Sequence, residues 1–259
     1  MPRLAPIALA ALSLAGLPAA AEGIAPADRR SGFDQMSPEI QAMQRDDTAN
    51  PGMLSVGDGA ELWASPPAPG QPACVGCHGE AATGMRGVAA RYPAWDAREG
   101  RPIDLQGRIA QCRRERQGAP PLPHESPDLL ALTAFVALQS RGQSISPPDD
   151  PRLDPARRAG QALFEGRMGQ LGLSCASCHD DNWGRRLGAA VIPQGHPTGY
   201  PLYRLEWQGM GSLQRRLRNC MSGMRAEPFA YGAADYVALE LYLAARAAPL
   251  PLEAPAVRP

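Results

Sequence analysis

Two copies of Cys-x-x-Cys-His, Cys74-Val75-Gly76-Cys77-His78 and Cys175-Ala176-Ser177-Cys178-His179, constrain this chain more than any other feature. Two cysteines separated by two residues can add to the two vinyl groups of one porphyrin, and the adjoining histidine reaches the iron. Each motif therefore predicts a covalently attached c-type haem, and the chain has to fold as two porphyrin pockets. A zinc site needs four thiolate or imidazole ligands around one ion, but the two pairs lie 101 residues apart and each carries its own histidine. A thioredoxin-like dithiol would sit at a strand-to-helix junction and needs no second copy.

The motifs belong to a longer internal repeat. Leu105-Gln106-Gly107-Arg108 followed by Cys112 recurs as Leu213-Gln214-Arg215-Arg216 followed by Cys220, at an offset of 108. Each copy runs on into a helix-like apolar stretch, 127–139 in the first and 232–246 in the second. Spacings of three and four give each stretch a core-facing stripe. Asp128 and Asp235 are placed to cap these helices or sit in their first turns. Between the copies, 140–155 is dense in Ser, Gly, Pro and Asp, which resists helix and central strand alike. The second copy then opens with Asp154-Pro155, a helix-start signal, and Gly160 with Phe164 is suited to close packing against the last helix. These features predict an all-α protein of two tandem cytochrome-c-like domains with long irregular loops: 22–150 for haem 1 and 151–259 for haem 2.

Residues 1–21 read as a signal peptide, with a basic start, an apolar run from Leu4 to Leu17 and Ala19-Ala20-Ala21 before Glu22. The run is shorter than the roughly 20 residues that cross a bilayer, so no membrane span is expected after cleavage and the periplasm is the expected location. The 26 basic residues are all arginine and balance 26 acidic ones. A net charge of zero gives no field for nucleic acid. Aromatic residues make up 5% of the chain, so buried porphyrin would supply the large apolar volume the side chains lack.

Four thioether links leave two of the six cysteines, Cys112 and Cys220, at equivalent places in the two repeats. Three readings compete for them: a thiolate ligand to the iron of each repeat, one disulfide between repeats, or inert buried thiols. Their equivalence favours equivalent roles. Arg108, Arg113, Arg114 and Arg116 surround Cys112 in sequence, and Arg215, Arg216, Arg218 and Arg225 surround Cys220. Positive charge favours the thiolate, although such a cluster also occurs as a solvated helix face.

The stretch Arg216-Leu217-Arg218-Asn219-Cys220-Met221-Ser222-Gly223-Met224-Arg225-Ala226 resembles the active-site signature of the SoxA family, the larger subunits of thiosulfate-oxidising SoxAX cytochromes, in their dihaem form. The resemblance covers nearly all of the mature chain. It implies two haem c groups, the first on Cys74 and Cys77 with His78 and Cys112 as axial ligands, the second on Cys175 and Cys178 with His179 and Cys220. It implies that Cys220 is catalytic, in some members as a persulfide, and that the activity is that of an L-cysteine S-thiosulfotransferase. Thiosulfate is joined to a cysteine of a SoxYZ-like carrier, and electrons pass through a SoxX-like monohaem subunit to a small cytochrome c. Arg216, Arg218 and Arg225 are the candidates to hold the sulfonate, through charge-assisted contacts.

The competing function is a dihaem electron-transfer subunit without chemistry of its own; a dihaem peroxidase would be longer and would need a histidine-switchable iron. His124 and His196 lack counterparts in the other repeat, which counts against distal ligation. Met85, Met168, Met210, Met221 and Met224 read as packing residues. Trp63, Trp95, Trp183 and Trp207 are expected at haem edges or the subunit surface, with Trp183 the candidate to pack behind His179.

Overall fold

The computed structural model describes residues 24–259, so the expected leader lies outside the described residues. The first repeat runs through α1 (Pro38–Arg45), α2 (Gly52–Ala64), α3 (Cys74–His78), α4 (Ala81–Gly84), the hairpin β1–β2 (Ala94–Asp96, Arg101–Ile103), α5 (Leu105–Glu115) and α6 (Pro127–Leu138). The second runs through α7 (Asp154–Glu165), α8 (Cys175–His179), the hairpin β3–β4 (Arg186–Leu187, Ala190–Val191), the hairpin β5–β6 (Leu202–Arg204, Gly209–Gly211), α9 (Leu213–Gly223) and α10 (Ala234–Ala247). A last strand, β7 (Ala256–Arg258), pairs in parallel with β5. The fold is mostly helical, and its strands are two or three residues long, too short for an alternating pattern to register in sequence.

Each repeat is held by one tight helix crossing. A Cβ built on Gly59 would lie 2.2 Å from the Ala131 carbonyl oxygen, and one on Gly160 would lie 2.0 Å from that of Ala238. Only a hydrogen at these positions lets α2 cross α6, and α7 cross α10, at this distance. One turn later each helix sends a large ring inward, Trp63 in the first repeat and Phe164 in the second. The expected stripe on α6 is wider than a stripe, since Leu129, Leu130, Leu132, Thr133, Val136 and the alanines between them are all buried. One side meets α2 and another meets Met210 of β6, so the helix is enclosed by both repeats.

Local signals set the helix starts. Ser126 caps α6 by accepting from the Leu129 N–H, with Pro127 at the first position, and Asp128 lies in the first turn. Asp235 likewise lies in the first turn of α10, whose cap residue Ala233 offers no side-chain bond. The start of α7 differs from the sequence reading: Asp150 caps a short 3-10 turn at Pro151–Leu153, and Asp154 already belongs to the helix. Asp104 accepts from the Gly107 N–H at 2.7 Å to start α5, and Ser212 accepts from the Arg215 N–H at 3.1 Å to start α9. These two caps put Cys112 and Cys220 on the same turn of equivalent helices.

The repeat extends further than its cysteines and leucines. Tyr92-Pro93, the β1–β2 hairpin and Asp104 correspond at the 108 offset to Tyr200-Pro201, the β5–β6 hairpin and Ser212. The haem motifs are offset by 101, so seven extra residues of the second repeat fall between His179 and Tyr200. Among the described residues, no helix is long and apolar enough to cross a membrane.

Candidate functional site

The second repeat encloses a cavity of about 570 Å³ with His179 and Cys220 both in its wall. Phe164, Cys175, Leu213, Leu217, Leu239 and Leu243 form its apolar side. Ser174 and Ser177 start α8 with a reciprocal capping box, which fixes the turn bearing Cys175, Cys178 and His179. His179 Nδ1 meets the Pro193 carbonyl oxygen at 2.7 Å. That bond occupies Nδ1, so Nε2 is the ring nitrogen left for the cavity. Gly195, at φ +77°, lies under the same ring, where a Cβ would fall 2.9 Å from His179 Cγ. The volume suits a cofactor, and the apolar wall, the neighbouring Cys175–Cys178 pair and the nitrogen and sulfur donors fit haem c, which His179 and Cys220 would hold.

Cys220 is within hydrogen-bond reach of His179 and one helical turn from Arg216. Burial pushes its thiol up, but the His179 hydrogen bond and the charges of Arg216, His179 and Arg204 outweigh burial, so it lies below the ordinary thiol value. Arg216 and Cys220 are four residues apart on α9 and therefore share a face. Arg218 is two residues away and faces elsewhere: its guanidinium stacks 4.7 Å from the Tyr231 ring centroid and donates to the Phe229 carbonyl. Arg225 follows the end of α9 at φ +55° and lines a separate surface cleft with Met168, Gly169 and Phe229. The structure thus brings Arg216 to the cavity, and brings neither Arg218 nor Arg225 there.

Two residues in or beside the cavity wall escaped the sequence reading. Arg204, on β5, lines the wall with Arg216 and Cys220; its signal was its place at the 108 offset from Asp96. Gln194, 1% exposed, takes the Arg30 N–H at 2.6 Å and donates to the Asp28 carbonyl at 3.0 Å, strapping the amino-terminal segment over the loop that supports His179. His196 also lines this cavity, and its Nε2 meets Gln194 Oε1 at 3.2 Å. Burial, then the charges of Arg246, Arg29 and His179, drive its pKa down to about 3. His124 stacks on Tyr231 with centroids 6.1 Å apart.

The first repeat carries the corresponding residues with its histidine exposed. Its apolar wall is Trp63, Leu105, Ile109, Leu132 and Val136, packed with Cys74 and Val75. Trp63 lies 5.6 Å from the His78 ring and donates to the Gly79 carbonyl at 3.2 Å. His78 and Cys77 are exposed. Burial pushes the Cys112 thiol up, and Arg108 and Arg116 offset this only in part. The donor set again fits haem c, with Cys74 and Cys77 as attachment points and His78 and Cys112 as ligands. Cys112 lies near Cys74 and Cys77, and Cys220 near Cys175 and Cys178, so each faces the haem motif of its own repeat.

The methionines pack as expected, Met210 against α6 and Met221 with Met224 beside Tyr236. Trp183 is 42% exposed, Trp95 lies under Arg152, and Trp207 lies under Arg204 and Arg215.

A family profile described as "SoxA/TsdA, cytochrome c domain" matches residues 58–145 and 159–252. The chain is 38% identical over 229 residues to the L-cysteine S-thiosulfotransferase subunit SoxA of Pseudaminobacter salicylatoxidans, covering 88% of this chain and 80% of that protein. It is 36% identical over 229 residues to the subunit of the same name from Rhodovulum sulfidophilum, with the same coverage. The crystal structure of SoxXA from P. pantotrophus matches with a TM-score of 0.86 at 32% identity, over 89% of this chain and 87% of that one.

Proposed function

Since the chain belongs to the SoxA family of L-cysteine S-thiosulfotransferase subunits, we propose that Cys220 is the sulfur through which it works and that Arg216 orients its substrate. The activity is transfer of thiosulfate to a protein cysteine, with electrons leaving through two covalently bound haem c groups. The observation that carries the assignment is the placing of Cys220 in one cavity wall with His179 and Arg216, the arginine one helical turn away on the same face. Haem bound there supplies a one-electron acceptor next to the reacting sulfur.

The residues then divide the work as follows. Arg216 holds the sulfonate oxygens and leaves the sulfane sulfur of thiosulfate facing Cys220. The Cys220 thiolate bonds to that sulfur, two electrons leave, and a Cys220–S–S–SO₃⁻ adduct remains. A carrier cysteine thiolate attacks the sulfane sulfur, the bond to Cys220 breaks, and the Cys220 thiolate returns. The sum of thiosulfate and one thiol is an S-thiosulfonate, one proton and two electrons. A persulfide on Cys220 would run the same cycle one sulfur further out.

The matched crystal structure is of SoxXA, which supports a SoxX-like haem subunit as partner. A SoxYZ-like carrier completes the reading as thiol donor, a small cytochrome c as electron acceptor and the periplasm as location. In the test, Cys220→Ser keeps both covalent haems by mass and loses conjugation of thiosulfate to the carrier. Normal turnover in that variant ends the assignment.

A further inference from the structure

The two repeats place opposite charges at one equivalent position. In the first, Asp96 lies at the end of β1, 2% exposed, with Oδ2 3.4 Å from Arg108 Nη1, and Gln111 donates to the same oxygen at 2.6 Å. Arg108 also donates to Gln111 Oε1. At the 108 offset, Arg108 corresponds to Arg216, and Asp96 corresponds to Arg204 at the end of β5. The carboxylate that neutralises the helix arginine in the first repeat is thus replaced by a second guanidinium in the other.

A pair of arginines lining one cavity repel each other unless an anion lies between them. Arg216 forms no ion pair among the described residues, while Arg258, on the neighbouring strand and in the same wall, is neutralised by Glu253 at 2.8 Å. Arg204 touches Glu206 at 2.8 Å, but that carboxylate is 65% exposed, and such a surface pair holds an arginine only weakly. Its guanidinium also lies 5.4 Å from the Trp207 ring centroid. Two guanidiniums present the planar donor forks that suit an oxyanion with three equivalent oxygens.

We propose that Arg204 and Arg216 together form an oxyanion site beside Cys220 that takes the sulfonate group of thiosulfate, and that Asp96 closes the equivalent site in the first repeat. This rests on Cys220 as the reacting sulfur, and the variants below leave that residue in place. A carboxylate of the haem edge shares the oxyanion chemistry, so the measurements separate the two sources.

The complete complex is assayed for thiosulfate conjugation with Arg204→Lys, Arg204→Gln and Arg204→Asp, and the haem 2 midpoint potential is measured on the same preparations. Removing one charge-assisted contact raises the KM for thiosulfate by on the order of tenfold in Arg204→Gln. Arg204→Asp, which copies the first repeat's charge, raises it by about a hundredfold, and Arg204→Lys falls between Gln and wild type. Inhibition by sulfate weakens in the same order, while kcat and the haem 2 potential move little. An unchanged KM overturns the proposal. So does a shifted haem 2 potential with KM unmoved, which would give Arg204 to a haem carboxylate. If Arg204→Asp fails to fold, Arg204→Gln decides alone. Failure of Cys220→Ser to lose activity would sink the reacting sulfur instead.

Discussion

The first and second repeats share a scaffold and differ in what surrounds the histidine. Both cross two helices over a glycine, seat a large ring one turn later and bring a cysteine round on a capped helix. In the first, His78 and Cys77 are exposed and burial leaves the Cys112 thiol above its usual value. In the second, the segment between His179 and Tyr200, seven residues longer, forms the β3–β4 hairpin and the Pro193–Gly195 loop against His179, and the Cys220 thiol lies below the usual value. Haem attachment needs only the common scaffold. If Cys220 is the reacting sulfur, as proposed, the added loop and the altered charges are what set its repeat apart from the first.

Breaking the comparison at the cysteines has the largest effect. Cys220→Ser lowers carrier conjugation by on the order of a thousandfold or more, the scale of losing a nucleophile, whereas Cys112→Ser leaves a working site and alters chiefly the spectrum and potential of haem 1. Equal losses in the two variants, measured as kcat/KM for thiosulfate, would remove the distinction between the repeats. Next comes the scaffold itself. Gly160→Ala forces a methyl against the Ala238 carbonyl and within 2.9 Å of Tyr242 Cβ, and such overpacking costs about 1–3 kcal/mol. Gly59→Ala meets the Ala131 carbonyl in the same way, so thermal unfolding should report comparable losses of Tm from either half.

Much of this was legible from the residue pattern. The haem motifs announce themselves because covalent attachment requires their spacing, and the Gly160–Phe164 pair read correctly because a helix crossing needs a gap beside a large ring. Arg216, Arg218 and Arg225 could not be ranked by nearness in sequence. Helix geometry separates them, since a four-residue step stays on one face, a two-residue step leaves it, and Arg225 lies beyond the helix. Gln194 was invisible for another reason: its partners Asp28 and Arg30 are about 165 residues away in the chain, and a single buried amide has no pattern.

That amide offers a smaller, sharper comparison. Gln194→Met keeps side-chain volume but loses the bonds that strap residues 28–30 to the His179 support. A slacker Pro193 carbonyl donates less electron density through Nδ1–H to the proximal ring, so the haem 2 potential should rise. Haem 1, whose histidine lies in the other repeat, serves as the internal reference; a shift shared by both haems would show a general loosening instead.

The smallest effect lies where the repeats meet. A cavity of about 100 Å³ is lined by Asp104 and Thr133 from one repeat and Ser212 and Glu240 from the other. Asp104 corresponds to Ser212, and Thr133 to Glu240 as counted from the two helix crossings, so each carboxyl stands where its counterpart has a hydroxyl. Gln214 donates to Asp104 at 3.1 Å. Burial pushes both carboxyls up, and Asp104 pushes Glu240 further, well above the carboxylate range. A raised folded-state pKa means that the native protein holds a proton the unfolded chain has released. The stability it lends is complete below the unfolded value and is lost as pH climbs through the folded one. Glu240→Gln keeps the shape and removes that proton from the balance. Its Tm should match the wild type near pH 4, below the range to which Glu240 is raised, and exceed it at pH 8, where the unfolded wild-type chain has released a proton that the buried carboxyl resists giving up. Parallel curves across that interval would mean that the two carboxyls do not share the site as a pair.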